Sequence, residues 1–314
     1  MTATVVTAYY QLNRNKYNIQ TPCSVVTYDS HNPYMTWIKN LFKLKANIIF
    51  FTDAKTYETT LKSLVDESDK KNISIQLLGR NEFYANKHIG IDWDAQYRLD
   101  REREIHTTGV YDIWTQKVDF VRRAIQLPVY KSNVYAWVDA GCFRGYNEHD
   151  KLYESFPSTR YLEPGKIMVN IISQLREEEK ALRHIHTTGG FVPNLKRDVV
   201  AATCLVGDKN AWKQFHDIYY YTVKRYYEKG FFVGREETVY TKCLIVHPEM
   251  FQTYTYHKEL QVASSLKELF SDFRRTNRWF YFILYLSDPA TSSSSSSVAL
   301  LDPGKDDMSS PVMA

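Results

Sequence analysis

The stretch YMTWIKNLFKLKANIIFFTD, residues 34–53, decides how this chain folds. From Tyr34 to Lys45 the apolar positions recur at helical spacing, and the period then changes. Asn47–Phe51 is a short apolar run that reads as a buried strand, and it stops at Thr52-Asp53. Upstream, Ala3–Tyr9 is β-branched and apolar and reads as a first strand. Downstream, Thr56–Val65 reads as a helix and Ile73–Leu78 as a third strand. Strand and helix alternate through the first part of the chain, which predicts a parallel sheet with crossover helices.

Further out, residues 79–110 are polar and predict short helices and loops. Asp112–Gln126 is an amphipathic helix that must stop before Pro128. Val134–Val138 is an apolar strand followed at once by Asp139-Ala140-Gly141. In the second half, Tyr161–Pro164 reads as a turn, Ile167–Leu182 mixes apolar and charged residues, and Thr187–Gly190 is a glycine-containing break. Val200–Val206 reads as a strand, Asn210–Lys229 as a long helix closed by Gly230, and Glu236–Val246 as a helix ended before Pro248. The pentapeptide IHTTG occurs at Ile105 and again at Ile185, but the flanks differ and no repeat is implied. The fold class is therefore α/β, with a mainly parallel central sheet flanked by helices.

The 314 residues, 44% hydrophobic and 24% charged, suffice for one large α/β domain. A net charge of +4 gives no electrostatic case for nucleic acid as a partner. The 24 tyrosines suit core and rim packing, and also a site that stacks on a ring while donating a hydrogen bond. The 4 cysteines include no Cys-x-x-Cys pair, which argues against a zinc knuckle or redox motif and fits a reducing compartment. MTATVVTAYY lacks the basic and apolar regions of a secretory signal, so a cytoplasmic location is expected. Trp279–Leu286, WFYFILYL, is too short to span a membrane. Residues 1–265 are expected to form the domain and 266–288 an aromatic segment packed on it. Residues 289–314 are expected to be a disordered serine-rich tail.

The strongest chemical signal is YAWVDAGCFR, Tyr135–Arg144. Ligands of open α/β sheets bind outside the carboxyl ends of the strands, so Asp139 points into the expected cleft. It is a candidate for a sugar hydroxyl or a metal–diphosphate, or else a turn aspartate. Gly141 would let backbone approach a ligand closely. Asp53 repeats the logic after the second strand, as a ribose ligand or an N-cap, and Thr7, Ala8 and Tyr9 end the first strand on the same edge. Lys117, with Arg122 and Arg123, could neutralise a diphosphate leaving group, although helix cations are often merely exposed. His184 and His186 could share a metal only if their segment were a strand. Gly189-Gly190 could let a loop pass close to a sugar. Glu236-Glu237 sits at a loop-to-helix boundary, where a carboxylate could be a general base or simply favourable helix-end charge. Walker A, dinucleotide-fingerprint and Gly-x-Ser-x-Gly patterns are absent.

The order of TVVTAYY, the 34–53 stretch, YAWVDAGCFR, IHTTGGFVPN and FFVGREETVYTKCLIVHPEMFQTY resembles the bacterial HtrL/YibB family over roughly residues 3–256. That family, also present in large DNA viruses and some invertebrates, is similar to GT-A glycosyltransferases. The resemblance implies a GT-A-like, nucleotide-diphospho-sugar transferase fold. By it, Asp139 falls where such enzymes keep the first carboxylate of an Asp-x-Asp metal motif, and Gly141 replaces the second. Glu236-Glu237 falls where the family keeps an acidic residue late in the domain.

The expected function is glycosyl transfer from a nucleotide-diphosphate sugar to a hydroxyl acceptor on a glycan, a lipopolysaccharide or a protein. Thr7, Ala8, Tyr9, Asp53, Lys117, Asp139, Gly141, Gly189 and Gly190 would hold the donor. Asp139 would hold Mn2+ or Mg2+, and Glu236 or Glu237 would act on the acceptor. The alternative is a nucleotide- or carbohydrate-binding protein without turnover. A nucleotidyltransferase would need more acidic metal ligands than the sequence offers.

Overall fold

Strands that are apolar at consecutive positions need cover on both faces, and this fold supplies it. The computed structural model describes residues 3–12, 33–68, 72–143, 156–195 and 197–255. The expected aromatic segment 266–288 and serine tail 289–314 lie outside the described residues. Strands β1 (Ala3–Ala8), β2 (Asn47–Thr52), β3 (Ile73–Leu77), β4 (Val134–Val138), β5 (Ile167–Ile171), β6 (Val200–Asp208) and β7 (Phe251–Thr255) form one seven-stranded sheet. Its order is β3-β2-β1-β4-β6-β5-β7. Every neighbouring pair is parallel except those that β6 makes with β4 and β5. The expected mainly parallel sheet flanked by helices is what forms.

Alternation within the strands sorts residues to two cores. Val6, Ile49, Trp137 and Leu205 face helices α2 (Thr108–Gln126), α3 (Lys209–Glu228) and α4 (Glu236–Val246), packing on Phe120, Phe215 and Tyr240. Val5, Ile48, Ala136 and Val206 face the other way and join Ile38 and Leu41 of α1 (Pro33–Leu41). Phe120 and Phe215 are fully buried, each worth about 1.5–3 kcal/mol relative to exposure. β4 lies in the middle of the sheet and all five of its residues are buried.

Several boundaries differ from expectation, for physical reasons. Helix α1 ends at Leu41 and not Lys45, because the carbonyls of Asn40 and Leu41 close tight turns to Lys43 and Leu44. The Asn40 side chain also donates to the Phe143 carbonyl and ties α1 to the turn after β4. Helix α2 starts at Thr108, ahead of Asp112, which is buried and paired with Arg80 at 2.8 Å. β5 and β7 stand where the sequence pattern predicts no strand. Ile167–Ile171 is too short for its period to separate strand from helix, and FQTYT carries mixed polarity.

Candidate functional site

The carboxyl ends of β1, β2 and β4 meet on one edge of the sheet, because the three strands are adjacent and parallel. Tyr9, Asp53 and Asp139 therefore line one edge, across two strand spacings of about 4.8 Å each. The Tyr9 amide donates to the Phe51 carbonyl and the Tyr9 carbonyl accepts from Thr52 Oγ1, so these strand ends are locked together.

Asp139 is held on that edge at several points. Its amide donates to the Thr203 carbonyl at 2.9 Å, and its carbonyl accepts from the Cys142 amide, which sets the turn. Trp137, two residues earlier on the same strand face, donates from Nε1 to Asp139 Oδ1 at 2.8 Å. Its ring is held by stacking on Phe120, 5.7 Å away and 9° from parallel. Lys117 of α2 reaches across with Nζ 2.8 Å from Oδ1 and 3.1 Å from Oδ2. The same ammonium lies 2.6 Å from Oε1 of Glu236, the first residue of α4, and donates to the Ala202 carbonyl at 3.3 Å. Lys117 and Glu236 are buried, whereas the Asp139 side chain keeps 31% of its surface exposed.

Burying a charge this deeply is costly unless it is paired. Burial works against the Lys117 ammonium, but Asp139 and Glu236 outweigh it and hold the lysine above its ordinary pKa. Burial raises the Glu236 carboxyl in spite of Lys117. Its Oε2 is buried with no hydrogen-bond partner among the described residues. Glu237 is 27% exposed, and burial together with the charge of Glu236 pushes its carboxyl up to about 8. Arg235 donates to Glu237 at 3.2 Å and also grips Glu102 at 2.7 Å and Asp198 at 2.9 Å. Trp137, Arg235 and Asp198 escaped sequence reasoning. Trp137 had a signal, since it shares a strand face with Asp139 (i, i+2). For Asp198 only the folded chain supplies one.

Several expected roles change in the structure. Lys117 is no exposed helix cation, because its donors are committed to two carboxylates and a carbonyl. Arg122 and Arg123 pair with Asp119 instead of this edge. Asp53 is an N-cap, accepting from the Thr56 amide and Thr56 Oγ1, both at 2.8 Å. Thr7 is buried within β1 with its hydroxyl unpartnered among the described residues, and Ala8 is part of the core. The Tyr9 ring packs against Tyr34 at 5.3 Å. Gly141 is small because of α1: a Cβ there would lie 3.1 Å from Trp37 and 3.2 Å from Tyr34. Gly189, at φ +82°, and Gly190 end a short helix, Arg183–Thr187, and their carbonyls accept from Arg225. That segment is helical and not extended, so positions 184 and 186 lie about 200° apart around its axis, and the strand geometry that the metal reading required is not what forms.

A divalent ion of the Mg2+ or Mn2+ kind takes a near-octahedral set of oxygens. The residues around Asp139 do not fit that need, since the charged group against its carboxylate is an ammonium. Among the described residues no three His, Cys, Asp or Glu side chains gather to hold a metal. No helix among them is long and apolar enough to cross a membrane.

A family model described as "Bacterial protein of unknown function (HtrL_YibB)" matches residues 1–260. Among solved structures the chain is similar to mouse xyloside xylosyltransferase 1 in its apo form. The match has 11% identity and a TM-score of 0.41, and covers 87% of this chain and 92% of the other. No curated protein matches the chain.

Proposed function

The chain belongs to the HtrL_YibB family, and from that premise and the geometry around Asp139 we propose that it is a glycosyltransferase. It moves a sugar from a nucleotide-diphosphate donor to a hydroxyl acceptor. The observation that carries this reading is a single carboxylate at the end of the central strand. It is held by a buried lysine and an indole, yet open on its remaining surface. Such a carboxylate accepts hydrogen bonds from sugar hydroxyls, with its orientation fixed in advance. The edge it occupies is the one where open α/β sheets bind ligands.

Glu237, next to the Lys117-bound Glu236, serves in this reading as the general base for an acceptor hydroxyl, its carboxyl pushed up to about 8. Tyr9, and the charge of Asp53 on its exposed side, face the nucleotide in this reading. Thr7 and Ala8 support that edge from within the strand and do not touch donor. Gly189 and Gly190 shape the helix end joined to α3, and Gly141 shapes the turn that presents Asp139.

A second reading, binding without turnover, is favoured by one observation: the position two residues after Asp139 is filled by Gly141, with no second carboxylate. A panel of nucleotide sugars screened by thermal shift identifies the donor, and free-sugar release is then measured on the hits. Release that Asp139→Asn abolishes supports the transferase. Binding with no release under any acceptor or ion condition supports the second reading.

A further inference from the structure

We propose that the Lys117 ammonium fills the place of a divalent cation in the donor site, so that donor is bound without Mg2+ or Mn2+. This inference rests on the reading of Asp139 as the donor carboxylate. Nζ of Lys117 bridges two carboxylates from different elements, Asp139 at the end of β4 and Glu236 at the start of α4, at 2.8 and 2.6 Å. A cation shared by oxygens from separate elements is what a bridging metal would be, and here it is built into the chain.

Three further observations bear on it. First, the ammonium has three donors, and they are met by Asp139, Glu236 and the Ala202 carbonyl. Lys117 is therefore a fixed counter-charge and a positioning residue that acts through Asp139. Second, Asp139 Oδ1 also accepts from Trp137 Nε1, so the face of the carboxylate toward the protein is occupied. Third, the turn is crowded where a second carboxylate would stand. A Cβ at Gly141 would meet the rings of Trp37 and Tyr34, and those rings sit on a helix tied to the same turn by Asn40. The carboxylate pair that is present, Asp139 and Glu236, already holds the lysine as its cation.

The test uses Mn2+ alone, titrated into the full chain and followed by the electron paramagnetic resonance of the free ion. Wild type is expected to leave the signal undiminished. Lys117→Ala, which leaves two carboxylates without their cation, is expected to bind Mn2+ about tenfold or more tightly than wild type, because a unit charge has been removed from contact distance. Lys117→Ala/Asp139→Asn is expected to lose that gain. Wild-type binding of Mn2+ that Asp139→Asn abolishes overturns the proposal, and so does a folded Lys117→Ala that gains nothing. If Lys117→Ala does not fold, a second measurement decides. Nucleoside diphosphate affinity of wild type is compared in Mn2+ and in a chelator, and equal affinity supports the proposal while dependence on Mn2+ overturns it. Should no nucleoside diphosphate bind at all, the glycosyltransferase reading fails, and the Mn2+ titration of wild type against Asp139→Asn still judges the cation assignment.

Discussion

Helix α2 carries two buried ion clusters two residues apart, one at Asp119 and one at Lys117, and they are finished differently. Asp119 is fully buried and accepts from Gln116 at 2.7 Å, Arg122 at 2.9 Å and Arg123 at 2.6 Å, with His216 Nε2 3.2 Å away. Burial opposes its charge, but His216 and Arg123 hold the carboxyl far below its ordinary range. The Lys117 cluster faces the sheet edge. One of its carboxylates is partly open to solvent, another has a buried oxygen unpartnered among the described residues, and the Glu236 and Glu237 carboxyls are raised. A closed cluster stabilises the fold. An open one leaves polar groups for a ligand to satisfy, and this is where the proposed site lies.

The comparison breaks if the two clusters respond alike to loss of charge. Asp139→Asn should fold normally, since Lys117 keeps Glu236 and Ala202, and should lower sugar transfer by about two orders of magnitude or more, at tenfold per 1.4 kcal/mol. Wild-type turnover in that variant would make the open cluster structural as well. Asp119→Ala should do the reverse, costing about 3 kcal/mol in denaturant unfolding, the lower end for breaking a buried pair because both arginines are partly exposed. Its donor affinity, measured well below the melting temperature, should match wild type.

Glu237 sharpens the contrast through pH. Its carboxyl titrates near 8 in the folded chain against an ordinary 4.5, so between those values the native state keeps a proton that the unfolded state has lost. Stability contributed at this site therefore falls as pH rises from about 4.5 to about 8. Transfer, which needs the base ionised, should rise over the same range and level off above about 8. Glu237→Gln should flatten the rate profile and lessen the fall in melting temperature; an unaltered profile removes Glu237 from the acceptor side.

The smallest effect expected is at Asp53. Asn caps helices as well as Asp, so Asp53→Asn should leave the melting temperature unchanged. If the charge also holds ribose, nucleoside diphosphate affinity should drop by more than about tenfold, as the roughly 1.5–3 kcal/mol of a charged hydrogen bond implies. Unchanged affinity would leave Asp53 as a cap alone.

Most of the sheet was legible from the chain. β1, β2, β3, β4 and β6 were bounded to within a residue or two, because short runs rich in apolar and β-branched residues between turn signals have few other uses. Asp139 could be singled out for the same local reason, since it follows a strand buried on both faces. Gly141 shows the limit. Its smallness was readable, but its cause, two rings on α1, was not. Gly189-Gly190 and Asp53 were likewise readable as special backbone positions, and the folded chain spends them on helix ends.

By itself the sequence determined the alternation of strands and helices and the carboxylate at the end of the central strand, because periodicity and strand ends are local properties. Only the tertiary structure decided that Lys117 turns inward to Asp139 and Glu236 while Asp119, two residues on, meets His216 beside its local helix partners Arg122 and Arg123. Positions two apart on a helix point about 200° away from each other. Which partners each one meets depends on the order of strands in the sheet and on the helices laid over it, and no local pattern in the chain encodes that order.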